Sequence, residues 1–224
     1  MKRLLHVGCG PKRKNGTTPG FAGPDWEEVR LDIDPAVEPD IVASITDMRE
    51  AVPEASFDAL YSSHNIEHLY AHEVPQALAE FRRVLRPEGF AVITCPDLQA
   101  VAREIAEDRL AVPVGQSASG PITPLDMVFG WRPALAAGNH FMAHRCGFTF
   151  TFLASLLRQA GFASVIGARP QGPYNLWVLA TRLPRDEATL RRMAGEFFWR
   201  PSPPAQPRGT GDAQPAESAG LAPT

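Results

Sequence analysis

Apolar residues along the chain fall into two rhythms. In the first they stand almost consecutively, as in Leu4-Leu5-His6-Val7, Val29-Arg30-Leu31, Phe57-Asp58-Ala59-Leu60-Tyr61-Ser62 and Phe90-Ala91-Val92-Ile93-Thr94-Cys95. Such runs predict strands buried on both faces, because a strand with one wet face alternates polar and apolar residues. Residues 38–43 give a shorter strand of the same kind. In the second rhythm apolar residues recur every three or four positions. Ala77, Leu78, Phe81, Val84 and Leu85 predict a helix from Val74 to Leu85, stopped by Pro87-Glu88-Gly89. Further helices are expected over 98–107, Phe148–Gly161 and Asp186–Trp199. Val165–Ala168 and Leu176–Ala180 predict two closing strands, joined through Pro170-Gln171-Gly172-Pro173 as an antiparallel edge. Strands alternating with helices imply an α/β domain with a mostly parallel, doubly wound sheet.

Three stretches lack either rhythm. Pro11–Pro24 is basic and loop-like, so the first crossover is expected to be mostly loop. Residues 108–147 are rich in Gly, Pro, aromatics and His and are long for a passive connection, which predicts a lid or substrate-capping insertion. From Arg200 onward Pro, Ala, Gly, Ser and Thr dominate without periodicity, so 1–199 is expected to be the folded domain and 200–224 a disordered tail.

Composition narrows this picture little. The 224 residues, 44% of them hydrophobic, suffice for one substantial core. A net charge of −3 gives no basic excess to draw nucleic acid or an anionic membrane. Cys9, Cys95 and Cys146 are odd in number and widely spaced, arguing against disulfides and zinc knuckles. With an apolar run after Met1-Lys2-Arg3 too short for a signal peptide or membrane span, a soluble cytoplasmic protein is expected.

The chemistry concentrates at strand ends. The first strand runs into Gly8-Cys9-Gly10, and residues without a Cβ let a ligand approach the main chain. Some twenty residues on, Asp32-Ile33-Asp34 closes the second strand, placing an acid where a ribose diol is gripped, with Asp34 competing for the role. Ser62, Ser63 and His64 follow the fourth strand at the edge where open α/β sheets bind ligands. His64, His68 and His72 recur at four-residue spacing, and His140 with His144 repeats it. A metal is not expected, since His-Asn-Ile-Glu-His lacks the H-E-x-x-H arrangement and the helix starts too late to align all three. In the insertion, Asp126, Asn139, His140, His144 and Arg145 are the polar groups of an expected acceptor pocket.

Taken in order, His6-Val7-Gly8-Cys9-Gly10, Leu31-Asp32-Ile33-Asp34-Pro35, Ser56-Phe57-Asp58-Ala59-Leu60-Tyr61 with Glu67-His68-Leu69, and Leu85-Arg86-Pro87-Glu88-Gly89 resemble the motifs of class I S-adenosylmethionine-dependent methyltransferases, in the small type-11-like bacterial group. The resemblance implies a Rossmann-like sheet of seven strands with the last pair antiparallel. It implies S-adenosylmethionine bound by Gly8, Cys9, Gly10, Asp32, Ile33, Ser63 and His64, with Asp47 toward the adenine. Its implied reaction is methyl transfer to an oxygen or nitrogen of a small-molecule or saccharide-type acceptor. His64 and His144 are the candidate bases and Asp126 the reserve. Two rival readings stay open: a non-catalytic relative that binds the cofactor or a partner, and a nicotinamide-dependent oxidoreductase, whose G-x-x-G continuation the turn lacks.

Overall fold

The apolar runs form one sheet of seven strands: β1 (Lys2–Val7), β2 (Trp26–Asp32), β3 (Ile41–Val42), β4 (Phe57–Ser63), β5 (Leu85–Pro96), β8 (Ser164–Ala168) and β9 (Asn175–Thr181). Their spatial order is β3-β2-β1-β4-β5-β9-β8, with β1 to β5 parallel and β9 antiparallel to both its neighbours. This computed structural model describes residues 1–117, 120–170 and 172–198; the expected tail, together with Gln171 and Trp199, lies outside the described residues.

Successive strand residues point to opposite faces, which is why the central strands read as unbroken apolar runs. Leu5, Val7, Leu60, Ala91 and Ile93 pack on one face against α2 (Val74–Val84) and α6 (Phe150–Gln159), through Leu78, Phe81, Leu153 and Leu157. Leu4, Ala59, Tyr61, Phe90 and Val92 pack on the other face with Phe21 of α1 (Pro19–Ala22) and Leu190 and Phe197 of α7 (Glu187–Phe197). No helix among the described residues is long and apolar enough to cross a membrane.

The helix expected from Val74 starts there, where Pro75 fits its first turn, and only a single 3-10 turn, Ile66–His68, precedes it. Two expectations need correction. Pro87-Glu88-Gly89 is not a break before the fifth strand. Leu85 already pairs with Phe57 and Phe90 with Ala59, so residues 86–89 bulge out opposite Asp58, whose carboxylate accepts from Arg86 at 2.7 Å. Residues 108–147 are also less irregular than expected. After α3 (Leu98–Ala106) come the hairpin β6 (Gly115–Ser117) and β7 (Gly120–Ile122), then α4 (Pro124–Phe129) and α5 (Arg132–Ala136).

The first crossover is mostly loop, as expected, and two cations hold it. Arg30 is 3% exposed and donates to the carbonyls of Gly10, Lys12, Val37 and Glu38. Lys14 donates to the carbonyls of Gly23 and Trp26. Backbone groups that a helix would satisfy internally are satisfied here by side chains.

In the insertion, Thr123 and Asp126 form a reciprocal capping box on α4, and Arg132 donates to Asp126 at 2.6 Å. Gly130 then takes φ 101°, and a Cβ there would lie 2.0 Å from the Met142 carbonyl oxygen. Only glycine lets residues 130 and 143 bridge at this approach.

Arg30→Met leaves several carbonyls without donors and should lower stability by about 2–4 kcal/mol in urea denaturation. For Asp126, burial raises the carboxyl pKa, but the Arg132 and Thr123 hydrogen bonds outweigh it and bring the pKa from 3.8 to about 2. A depressed folded pKa contributes stability that is present above pH 3.8 and is lost as pH falls through about 2. Asp126→Asn should therefore be less stable than the wild type at neutral pH, with the difference shrinking across that window in acid urea titrations.

Candidate functional site

Strand order reverses between β1 and β4: the chain leaves β1 toward β2 on one side and returns through β4 toward β5 on the other. The crevice outside the carboxyl ends of such a strand pair is where open α/β sheets bind ligands. β1 ends there at Gly8 and β4 at Ser63, so the two richest motifs meet.

Gly8 and Gly10 both adopt left-handed backbone, at φ 59° and 51°. A Cβ on Gly8 would stand 2.4 Å from Asn65 Cγ, whereas one on Gly10 would meet nothing within 4 Å. The first glycine thus packs the turn against the end of β4, and the second leaves open space above the main chain. Asp32 closes this turn from β2: its Oδ2 accepts from the Gly10 N–H at 2.8 Å and its Oδ1 from the Asp34 N–H at 3.0 Å. Each carboxylate oxygen has a second lone pair to offer. Asp34 itself caps the short turn Pro35–Val37 by accepting from Ala36. Ile33 is 51% exposed beside Asp32, an apolar surface at the rim of the crevice. Cys9 is buried, and burial pushes its thiol up to about 11, so this residue brings only its backbone. Asp47 is exposed and chelated by Arg49, which holds its carboxyl near a pKa of about 2.

At the end of β4, the Ser63 hydroxyl accepts from Thr94 at 2.9 Å. His64 has φ 49°, a left-handed conformation that costs a non-glycine residue about 1–3 kcal/mol and that Glu38, Ala55 and Asp108 share. The insertion returns to this point. Arg145 and Cys146 donate their N–H groups to the Glu67 carbonyl, and the Arg145 guanidinium donates to the His68 carbonyl. His144 thereby comes against His68, with ring centroids 4.9 Å apart.

Glu67 sits between these rings, 1% exposed. His64 Nδ1 lies 3.3 Å from its Oε1 but is not aligned as a hydrogen bond, and neither carboxylate oxygen has a hydrogen-bond donor. Burial raises its pKa, yet the His64, His68 and His144 imidazoles outweigh that and hold the carboxyl below its usual value. Burial makes His144 easier to deprotonate than a free imidazole, and its Nδ1 lies 2.8 Å from the Met127 carbonyl.

The structure therefore brings Gly8, Gly10, Asp32, Ser63 and His64 to one crevice and His144 to its rim. It takes Asp126 out of the set of free bases, because both its oxygens serve Arg132 and the capping box. Asn139 and His140 are solvent-exposed, and His72 stacks on Tyr70 away from Glu67. Two open clefts of about 430 and 420 Å³ lie at the opposite edge, against Pro19, Trp26 and the end of α7. None of the candidate residues lines them, so chemistry and not cleft size locates the site. Sequence reasoning missed Glu67 and Arg30. An acid flanked by imidazoles in His-Asn-Ile-Glu-His was the available signal for the first, while an arginine inside a strand gave none for the second.

Comparison with known proteins agrees with this geometry. Residues 5–93 match the family model described as a methyltransferase domain. No curated protein matches the chain. A protein of Pyrococcus horikoshii OT3 superposes with a TM-score of 0.54 at 15% identity, over 80% of this chain and 81% of that one. The trans-methyltransferase CalH, solved in complex with SAH, gives 0.52 at 17% identity over 80% of this chain and 51% of that one. A possible histamine N-methyltransferase of Thermotoga maritima gives 0.50 at 16% identity over 82% and 83%. At these identities the structural likeness is one of fold, and the family match is a likeness of residues 5–93 to a methyltransferase domain.

Proposed function

We propose that this domain transfers a methyl group from S-adenosylmethionine to an oxygen or nitrogen of a small-molecule or saccharide-type acceptor. The observation that carries this reading is the meeting of the Gly8–Gly10 turn with the end of β4 at the reversal of strand order. The cofactor supplies a methyl group already activated on a sulfonium, so the protein's work is positioning and exclusion of water.

The residues fit that ligand. The open main chain at Gly10 admits its tail, the free lone pairs of Asp32 accept from a ribose diol, and exposed Ile33 offers the adenine an apolar surface. Asp47 reaches an adenine amino group only if it leaves Arg49, which makes it the weakest of the set. His64, exposed at the end of β4, is the proposed base for an acceptor hydroxyl, with Glu67 behind its Nδ1. Residues 108–147 form the wall of the acceptor site within a 1–199 domain. The free state of Cys9, Cys95 and Cys146 supports a reducing compartment, the cytoplasm.

Isothermal calorimetry should give saturable binding of S-adenosylmethionine, and absence of binding by folded protein at millimolar cofactor would sink the enzyme reading. Asp32→Ala should weaken binding about 10–100-fold, the effect of losing charge-assisted hydrogen bonds. Unchanged affinity in that variant would remove Asp32 from the site.

A further inference from the structure

From the cluster of Glu67, His68 and His144 we infer a binding site for a single divalent first-row metal ion of the zinc type. One ligand atom from each residue lies within 4.8 Å of the others, near enough for small side-chain rotations to bring all three to about 2.0–2.2 Å from one ion. Two imidazoles and a carboxylate form a donor set suited to such ions rather than to magnesium or calcium, which take mostly oxygen.

Two further observations point to the ligand. Glu67 is 1% exposed and aims a carboxylate without hydrogen-bond donors into the cluster. A buried carboxylate in this condition is costly unless a cation faces it. The second is His68, whose Nδ1 and Nε2 each lie 3.1 Å from a carbonyl oxygen, those of Ala143 and His64. A neutral imidazole donates to only one of them and leaves a lone pair facing the other. That nitrogen becomes a ligand once the carbonyl facing it swings out of the ion's place. His144 is arranged as metal-bound imidazoles are, with Nδ1 against the Met127 carbonyl and Nε2 free for the ion.

Three protein ligands leave a coordination position open, as in catalytic rather than structural sites. The loop that carries Glu67 and His68 starts at His64 and packs against the glycine turn through Asn65. This refines the proposed function and rests on it: the acceptor is a hydroxyl compound whose oxygen binds the ion. Its O–H bond breaks, the proton passes to His64, and the oxygen lone pair forms the O–C bond as the C–S⁺ bond breaks, leaving a neutral thioether.

The test is metal uptake, independent of turnover. Chelator-stripped protein is titrated with Zn²⁺ by calorimetry and with Co²⁺ by visible absorption. The wild type should take up one ion per chain, with the absorption bands of imidazole-ligated Co²⁺. Glu67→Gln and His144→Gln should each weaken uptake by more than about 100-fold, beyond the loss typical of a merely orienting partner. His72→Gln, outside the cluster, should match the wild type. No uptake by folded wild type, or uptake unchanged in both cluster variants, overturns the site. Should Glu67→Gln fail to fold by circular dichroism, His144→Gln alone decides. Cofactor binding measured in parallel separates the two readings: ion uptake without it sinks the methyltransferase reading and leaves the metal site standing.

Discussion

A guanidinium sealed beneath the first turn governs the shape of this site. Arg30 is buried in β2, and its partners are carbonyls of two separate loops, 10–12 and 37–38. Each carbonyl brings only a partial charge, but together they surround the cation and replace the water it has lost. The turn after β1 therefore needs no helix to hold it. Asp32 completes the clamp from the same strand by accepting from Gly10. Position and charge of the crevice floor both depend on β2, two residues apart on one strand.

The sheet was legible because burial on both faces leaves an unmistakable pattern. Leu4-Leu5-His6-Val7 and the run from Phe90 to Cys95 contain almost nothing polar because no position faces water. Even His6 obeys, with its Nδ1 against Glu28 and its ring edge-on to Tyr61. The motifs at Gly8–Gly10 and Asp32 were legible for a different reason: backbone conformation and strand-end position restrict what residue can stand there.

The insertion was much less legible. Its helices are only one or two turns long, too short for periodicity to register, and caps rather than apolar stripes define them. Thr123-Pro124-Leu125-Asp126 is in fact a legible helix start, with an N-cap, a proline in the first turn and an acid at the third position. Grouping Asp126 with pocket residues overlooked that local claim on its carboxylate. The histidines misled differently. Their four-residue spacing implied a helix, whereas a left-handed residue and a 3-10 turn fold the segment back, and the neighbour that matters to His68 is His144, seventy-six residues away in sequence. Contacts of that range are set by the insertion's return path and leave no local trace.

The left-handed backbone of His64 carries a consequence for how this protein responds to selection. Glycine at that position relieves conformational cost, and asparagine tolerates it better than most residues. Selection for thermal stability alone would favour either of them and discard the imidazole that stands above Glu67. Keeping histidine there means tolerating local strain for the sake of a side chain, so robustness and chemistry compete for one residue. Variants recovered from stability screens would thus show what the proposed base costs the fold.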